Sequence, residues 1–234
     1  MTSNNSLKRV SILSGLSENE LEQIKNVSVF QTFNINKRIV SEDETTTDMF
    51  FILEGKVAIK SFSENGYEVL YTELSDGACF GEFSAIDGSP RAANVIALTD
   101  VSVARIKASH FKTFVRNFPI LGLSLCEYLV KLARDLSERI FELSTLSVRA
   151  RLKLELLRLA GSNSTGADRV LIAPAPTHQE LAARISTHRE AVSRELAHLT
   201  AQNLIFCSRK LIEIHSITTL LQSFQNEKHE KAKA

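Results

Sequence analysis

The stretch that decides the reading runs Phe80-Gly81-Glu82-Phe83-Ser84-Ala85-Ile86 and continues Asp87-Gly88-Ser89-Pro90-Arg91-Ala92-Ala93-Asn94. Gly81 has no Cβ, so the backbone there can come close to a ligand. A short helical turn starting near Phe83 aims free N–H groups at an anion. Arg91 supplies a planar, forked cation suited to a phosphate, and Glu82 is an acceptor for a sugar hydroxyl. A Gly-Glu pair alone marks no more than a sheet corner with a surface Arg nearby. The whole string is far more specific.

On both sides of this string, from Phe30 to about Lys107, short runs rich in Val, Ile, Phe and Tyr alternate with polar turns. They are Phe50 to Leu53, Val57 to Phe62, Glu68 to Leu74, Asn94 to Leu98 and Val101 to Ile106. Asn65-Gly66, between two runs, is a hairpin signal because both turn positions need positive φ. Strands this short and this closely spaced predict an antiparallel sandwich or jelly roll. Upstream, Leu13 to Ile24 reads as a short helix with a Ser17/Glu20 capping box.

Downstream, a long helix is expected, capped by Asn117 with Pro119 in its first turn. Leu121, Leu125, Leu129, Leu132, Leu136, Ile140 and Leu143 follow at steps of 4, 4, 3, 4, 4 and 3. That stripe, flanked by Lys131, Arg134, Glu138 and Arg139, has coiled-coil spacing and predicts dimerisation along the helix. Ser147 caps a further helix, Val148 to Ala160, and 161–168 reads as a polar loop. The fold class is α+β, divided as 1–118, 119–146 and 147–234.

The third segment carries the second informative string, Thr177-His178-Gln179-Glu180-Leu181-Ala182-Ala183-Arg184-Ile185, then Ser186-Thr187-His188-Arg189-Glu190-Ala191-Val192-Ser193-Arg194-Glu195-Leu196. Thr177 with Glu180 and Thr187 with Glu190 read as two capping boxes, so two short helices meet at a tight turn. Leu181, Ala182, Ile185, Ala191, Val192 and Leu196 supply their shared core. This is a helix-turn-helix whose second helix presents Arg189, Glu190 and Arg194 to a major groove. Leu204 to Cys207 and Leu211 to Ile214 form a final hairpin with Arg209 in its turn. Candidate DNA contacts are Thr177, His178, His188, Arg189, Glu190, Ser193, Arg194 and Arg209. From Gln225 onward the charged tail is expected to be mobile.

Composition agrees with a globular chain. The chain has 234 residues, 44% hydrophobic and 24% charged, with a net charge of +1. Residues 1–147 hold 15 Lys/Arg against 19 Asp/Glu, and residues 148–234 hold 13 against 8. An acidic module is thus joined to a basic one able to meet a polyanion. No apolar run reaches the roughly 18 residues of a membrane span. No signal-peptide segment follows Met1, so a cytoplasmic protein is expected. Cys79, Cys126 and Cys207 lie far apart, which predicts core packing and argues against a disulfide framework or clustered metal site. His178, His188 and His198 are spaced by ten and cannot form an i, i+4 metal pair. No activated thiol or metal cluster is visible, so no enzyme is expected.

With both strings in view, the chain resembles a transcription regulator of the CRP/FNR family, in its catabolite-activator (cAMP receptor) branch. The resemblance covers nearly everything from Leu13 to Ile214 and implies a β-roll, a dimerisation helix, a short hinge and a winged helix-turn-helix. The F-G-E and P-R-A-A residues match the family's phosphate-binding cassette. They imply that Glu82 holds the ribose 2′-hydroxyl and Arg91 the cyclic phosphate, with Gly81, Phe83, Ser84 and Ala92 lining the pocket. The branch's R-E-x-x-x-R recognition pattern stands here as Arg189, Glu190 and Arg194. It implies a homodimer on double-stranded DNA with TGTGA-like half-sites, and the chemistry agrees: Arg pairs with guanine, Glu accepts from cytosine. The N-terminal cysteine cluster of the FNR branch is lacking.

One family contact departs. The adjacent Thr-Ser pair that meets the purine is Leu136-Ser137 here. A serine both donates and accepts, and Ala92 lacks the hydroxyl common after the Arg in cGMP-selective sites. The expectation is therefore cAMP, with cGMP as second ligand. By the same resemblance, Gly161 to Arg169 lies where activators touch RNA polymerase. The rivals are a same-fold regulator sensing haem or another small molecule, and a ligand-independent DNA-binding protein.

Overall fold

A computed structural model describes residues 7–65, 67–163 and 168–231. The chain divides into two compact units, Met1–Ser61 with Leu70–Asp135, and Phe62–Val69 with Leu136–Ala234.

The first unit opens with a 3-10 turn at Ser11–Leu13 and helix α1, Glu18–Val27. The Ser17/Glu20 capping box is present, with the Ser17 N–H donating to Glu20 Oε2 at 2.8 Å. Helix α1 begins later than expected because the capping residue itself stays extended, leaving Leu13 to the 3-10 turn. Eight strands follow: β1 Val29–Phe33, β2 Arg38–Val40, β3 Met49–Glu54, β4 Lys56–Phe62, β5 Glu68–Ser75, β6 Cys79–Phe80, β7 Asn94–Ala97 and β8 Val101–Ile106. They form two four-stranded sheets, ordered β1-β8-β3-β6 and β2-β7-β4-β5. Gly66 of the expected hairpin turn lies outside the described residues.

Strand β3 explains the layering. Its Met-Phe-Phe-Ile run is buried on both faces. Phe50 and Ile52 join Val40, Val57, Val95 and Val103 in the core between the sheets. Met49 and Phe51, on the opposite face by the period-two alternation of a strand, join Leu21, Ile24, Phe111, Leu121 and Leu125 under the helices. Each such side chain contributes about 1.5–3 kcal/mol by leaving water. Next to it, β6 stacks Phe80 on Phe50 with ring centroids 4.7 Å apart, which fixes where Gly81 emerges.

Between strand β6 and strand β7 lies helix α2, Glu82–Asp87. After β8 comes helix α3, Ala108–Asn117, which the sequence reading lacks. Asn117 is therefore the last residue of α3 and does not cap the long helix α4, Pro119–Thr145. Phe111 and Phe114 bury α3, and the Phe118 carbonyl accepts the first N–H bonds of the next helix. Along α4 the apolar stripe changes character. Leu121 and Leu125 are buried in the first unit, whereas Leu136, Ile140 and Leu143 are exposed, Ile140 by 65%. Cys79 is buried as expected and Cys207 half-buried, but Cys126 is exposed on α4 and packs in no core.

In the second unit, Ser147 caps helix α5, Val148–Asn163, accepting from the Ala150 N–H at 3.1 Å. Gly161 to Asn163 are helical, not loop; 164–167 of the expected loop lie outside the described residues. Helix α6 spans His178–Arg184 and helix α7 Arg189–Ala201. Strands β10 (Ile205–Cys207) and β11 (Ile212–Ile214) form the expected hairpin, and β9 (Val170–Ile172) adds a third strand. One core of Leu152, Leu156, Leu181, Val192, Leu196 and Ile212 unites these elements. Of the tail expected to be mobile from Gln225 onward, the residues through Lys231 instead continue helix α8, Ile217–Lys231, and 232–234 lie outside the described residues. Lys153, 2% exposed on α5, reaches Ser223 Oγ at 2.8 Å and Glu227 Oε1 at 3.0 Å, and Leu220 is fully buried. Charge and burial together pin the helix that composition alone suggested was loose. Among the described residues no helix is long and apolar enough to cross a membrane.

Candidate functional site

Gly81 caps α2 with φ 87°, a left-handed conformation natural to glycine. A Cβ there would lie 2.7 Å from the Asp48 carbonyl and 2.8 Å from Arg91 Nη1, so the site closes around its absence. Helix α2 begins one residue earlier than expected, at Glu82, and the first intrahelical bond is Ala85 N–H to Gly81 carbonyl at 3.1 Å. The Phe83 and Ser84 amides therefore have no acceptor inside the helix, and the N-cap glycine supplies no side chain to bond them. Ser84 Oγ donates to the Pro90 carbonyl at 3.3 Å, tying the end of the string to its start.

Arg91 is 3% exposed. Its Nη2 donates to the Asp48 carbonyl at 2.8 Å, its Nη1 to the Gly81 carbonyl at 3.2 Å and its Nε to Thr46 Oγ1 at 3.2 Å. The guanidinium carbon lies 5.7 Å from the Phe50 ring centroid. All three acceptors are neutral, and among the described residues no carboxylate forms an ion pair with it. Burial lowers its pKa, opposed by the charges of Asp48, Glu44 and Glu82. A fixed, buried cation with donors to spare is suited to a small anion. Glu82 is likewise buried, and burial raises its pKa, opposed by hydrogen bonds from its own backbone and from Tyr128, and by Arg91. Phe83 is exposed, and Ala92 follows Arg91 without a hydroxyl. Gly81, Glu82, Phe83, Ser84, Arg91 and Ala92 thus stand on one short loop-helix segment. Leu136 and Ser137 lie on α4 in the other unit, both exposed.

In the second unit, Thr177 forms its capping box with Glu180, whose N–H donates to Thr177 Oγ1 at 3.2 Å. The second expected box is absent. Ser186 adopts φ 50° and the Thr187 N–H bonds back to the Ala182 carbonyl, so α7 starts after His188. Glu190 then stands second in the helix, whereas a capping box needs it third. Arg189, Glu190 and Arg194 are exposed on α7, as is Arg209 in the hairpin turn. His178 Nδ1 meets Ser193 Oγ at 2.7 Å, linking the two helices, and Ser193 Oγ also donates to the Arg189 carbonyl. His188 Nε2 lies 2.8 Å from the Tyr67 hydroxyl within the same unit.

Two positioning residues escape the sequence reading. Arg151 on α5 donates from Nε to the Ile185 carbonyl at 2.9 Å and from Nη1 to the Leu146 carbonyl at 3.0 Å, so it holds the turn of the helix pair. Arg149 donates to Glu195 at 2.5 Å and fixes α7 against α5. Nothing in their local sequence separates them from solvated arginines. Among the described residues no group of His, Cys, Asp and Glu side chains could hold a metal ion.

Comparison with known proteins finds two matching domains. Residues 30–118 match the cyclic nucleotide-binding domain and residues 150–223 the Crp-like helix-turn-helix domain. The cAMP-activated global transcriptional regulator CRP of Haemophilus influenzae is 28% identical over 180 residues, 76% of this chain and 80% of that protein. The CRP-like cAMP-activated global transcriptional regulator of Mycobacterium tuberculosis is 25% identical over 211 residues, 89% and 93% respectively. In fold, the c-di-GMP responsive global regulator CLP of Xanthomonas campestris matches with a TM-score of 0.76 at 17% identity, over 86% of this chain and 100% of that one. A cyclic-nucleotide-binding domain joined to a helix-turn-helix is the build of a ligand-responsive regulator, and the chain belongs to the CRP/FNR family of transcription regulators.

Proposed function

We propose that this protein is a cytoplasmic, homodimeric DNA-binding regulator that takes cAMP, with cGMP as a second ligand, and reorients its helix-turn-helix onto TGTGA-like palindromes. Arg91 carries the reading: it is a buried guanidinium bonded only to neutral oxygens. A buried charge held without a direct ion pair is costly, and a cyclic phosphate on its remaining donors offsets that cost. Glu82 accepts from the ribose 2′-hydroxyl, and the free amides of Phe83 and Ser84 face the same anion. Ser137, beside Leu136, offers the purine a hydroxyl from either subunit. Residues 1–118 form the ligand module, 119–146 the dimer helix and hinge, and 147–234 the DNA-binding module. Thr177, His178, His188, Ser193 and Arg209 flank the base-reading Arg189, Glu190 and Arg194. RNA polymerase is the further partner, met near 161–169.

A second reading, a different effector in the same fold, is favoured by the c-di-GMP responsive relative, since that ligand also offers Arg91 a phosphodiester. Calorimetric titration of the wild type and Arg91→Ala with cAMP, cGMP and c-di-GMP tests both. We expect cAMP to bind best and the substitution to abolish uptake. Equal binding by the variant, or preference for c-di-GMP, contradicts the proposal.

A further inference from the structure

The Glu82 carboxylate is already engaged. Tyr128, on α4, donates its hydroxyl to Glu82 Oε1 at 3.4 Å. An O–H···O bond is normally about 2.7–2.8 Å long, so this one is stretched and easily exchanged. Tyr128 is anchored by its ring, which packs half-buried against the core under the helices. It sits three residues after Leu125 and four before Leu132, on the side of the long helix that carries the apolar stripe. One carboxylate oxygen in the cassette is therefore wired to the helix along which two copies of the chain are expected to pair.

We propose that the Tyr128 hydroxyl holds the place of the ribose 2′-hydroxyl on Glu82, which makes Tyr128 the residue through which α4 senses the sugar of the ligand. The inference rests on the cyclic-nucleotide reading of the Glu82–Arg91 site and deepens it. A 2′-hydroxyl arriving at normal length takes Oε1, and the phenol gives it up. The phosphate, held by Arg91, has no such competitor. The preference for ribose over deoxyribose is thereby set, and held down, at the contact that joins the cassette to α4, and Tyr128 is the residue that tunes it.

The test is a two-by-two titration of the wild type and Tyr128→Phe with cAMP and 2′-deoxy-cAMP. The substitution removes one oxygen and keeps the packed ring. With its competitor gone, cAMP should bind Tyr128→Phe about two- to fivefold more tightly. The affinity for 2′-deoxy-cAMP, which displaces nothing, should not change. Weaker or equal cAMP binding by the variant overturns the inference, as does the same gain for both ligands. If the wild type binds neither nucleotide, the cyclic-nucleotide reading itself fails, a result distinct from both. A second readout needs no variant at Tyr128, because the chain has no Trp and three Tyr. In a Tyr67→Phe/Tyr71→Phe background, tyrosine emission reports Tyr128 alone. It should change on adding cAMP after correction for adenine absorbance, and stay constant with the deoxy ligand; an identical response to both ligands counts against the exchange.

Discussion

A carboxylate buried beside a guanidinium without bonding to it is an unusual arrangement to keep in a folded chain. Burial raises the Glu82 pKa from its ordinary value. The folded protein then holds that proton to higher pH than the unfolded chain does. Stability from this proton is complete below the unfolded pKa and is lost as pH rises through the folded value. At neutral pH the charged Glu82 is thus a liability to the unliganded protein. Glu82→Gln should raise its melting temperature at pH 7, and the gain should shrink as pH falls and the wild type protonates. The same variant should bind cAMP roughly tenfold or more weakly, since a bond to a charged acceptor is replaced by a neutral one. Melting scans across pH 4–8 (a range of about four units) alongside calorimetry check both signs; a variant less stable at pH 7 contradicts the account. Glu82 and Arg91 were legible because they share one short string with Gly81. Tyr128 was not, because its partner is 46 residues away and only the packing of α4 on the sheets joins them.

Among elements, the second helix of the helix-turn-helix bears the sharpest prediction. Arg189 and Arg194 are exposed on one helix, and Arg149 and Arg151 hold that helix and its turn from behind. Replacing Arg189 or Arg194 by Ala should each cost about 1–3 kcal/mol at a TGTGA-type site. Competition assays with scrambled duplex should show a smaller loss there; equal losses on all sequences would reduce both residues to phosphate contacts. Elements with strong periodic signals were readable, including most strands, the long helix and the capped α6. Helix α3 was overlooked because Lys107 gives it no side-chain cap, although Phe111 and Phe114 lie at helical spacing. The start of α7 was misplaced by one residue because only φ at Ser186, invisible in the sequence, decides where the turn ends. From Gln225 onward the sequence shows only charge, because the partner that anchors Glu227, Lys153, lies far back on α5.

At the scale of the molecule, the long helix changes along its length from buried to exposed apolar positions. Its first turns bury Leu121 and Leu125 in the β-roll, and its later turns leave Leu136, Ile140 and Leu143 exposed. Burying that exposed stretch against a second copy is the expected driving force for the dimer. Ile140→Glu should therefore yield a monomer by analytical ultracentrifugation with the β-roll still folded; an unchanged dimer would place the interface elsewhere. Ligand and DNA act on this one object, and for a near-complete switch the ligand must prefer the DNA-competent state by about 5.5 kcal/mol. Binding linkage makes the central claim measurable: the factor by which cAMP tightens DNA must equal the factor by which DNA tightens cAMP. The decisive measurement is calorimetric titration of the wild-type protein with cAMP, with and without a TGTGA palindrome. The account predicts a lower Kd for cAMP when the duplex is present, matched by an equal gain in duplex affinity when cAMP is present. A cAMP affinity indifferent to the duplex would contradict it.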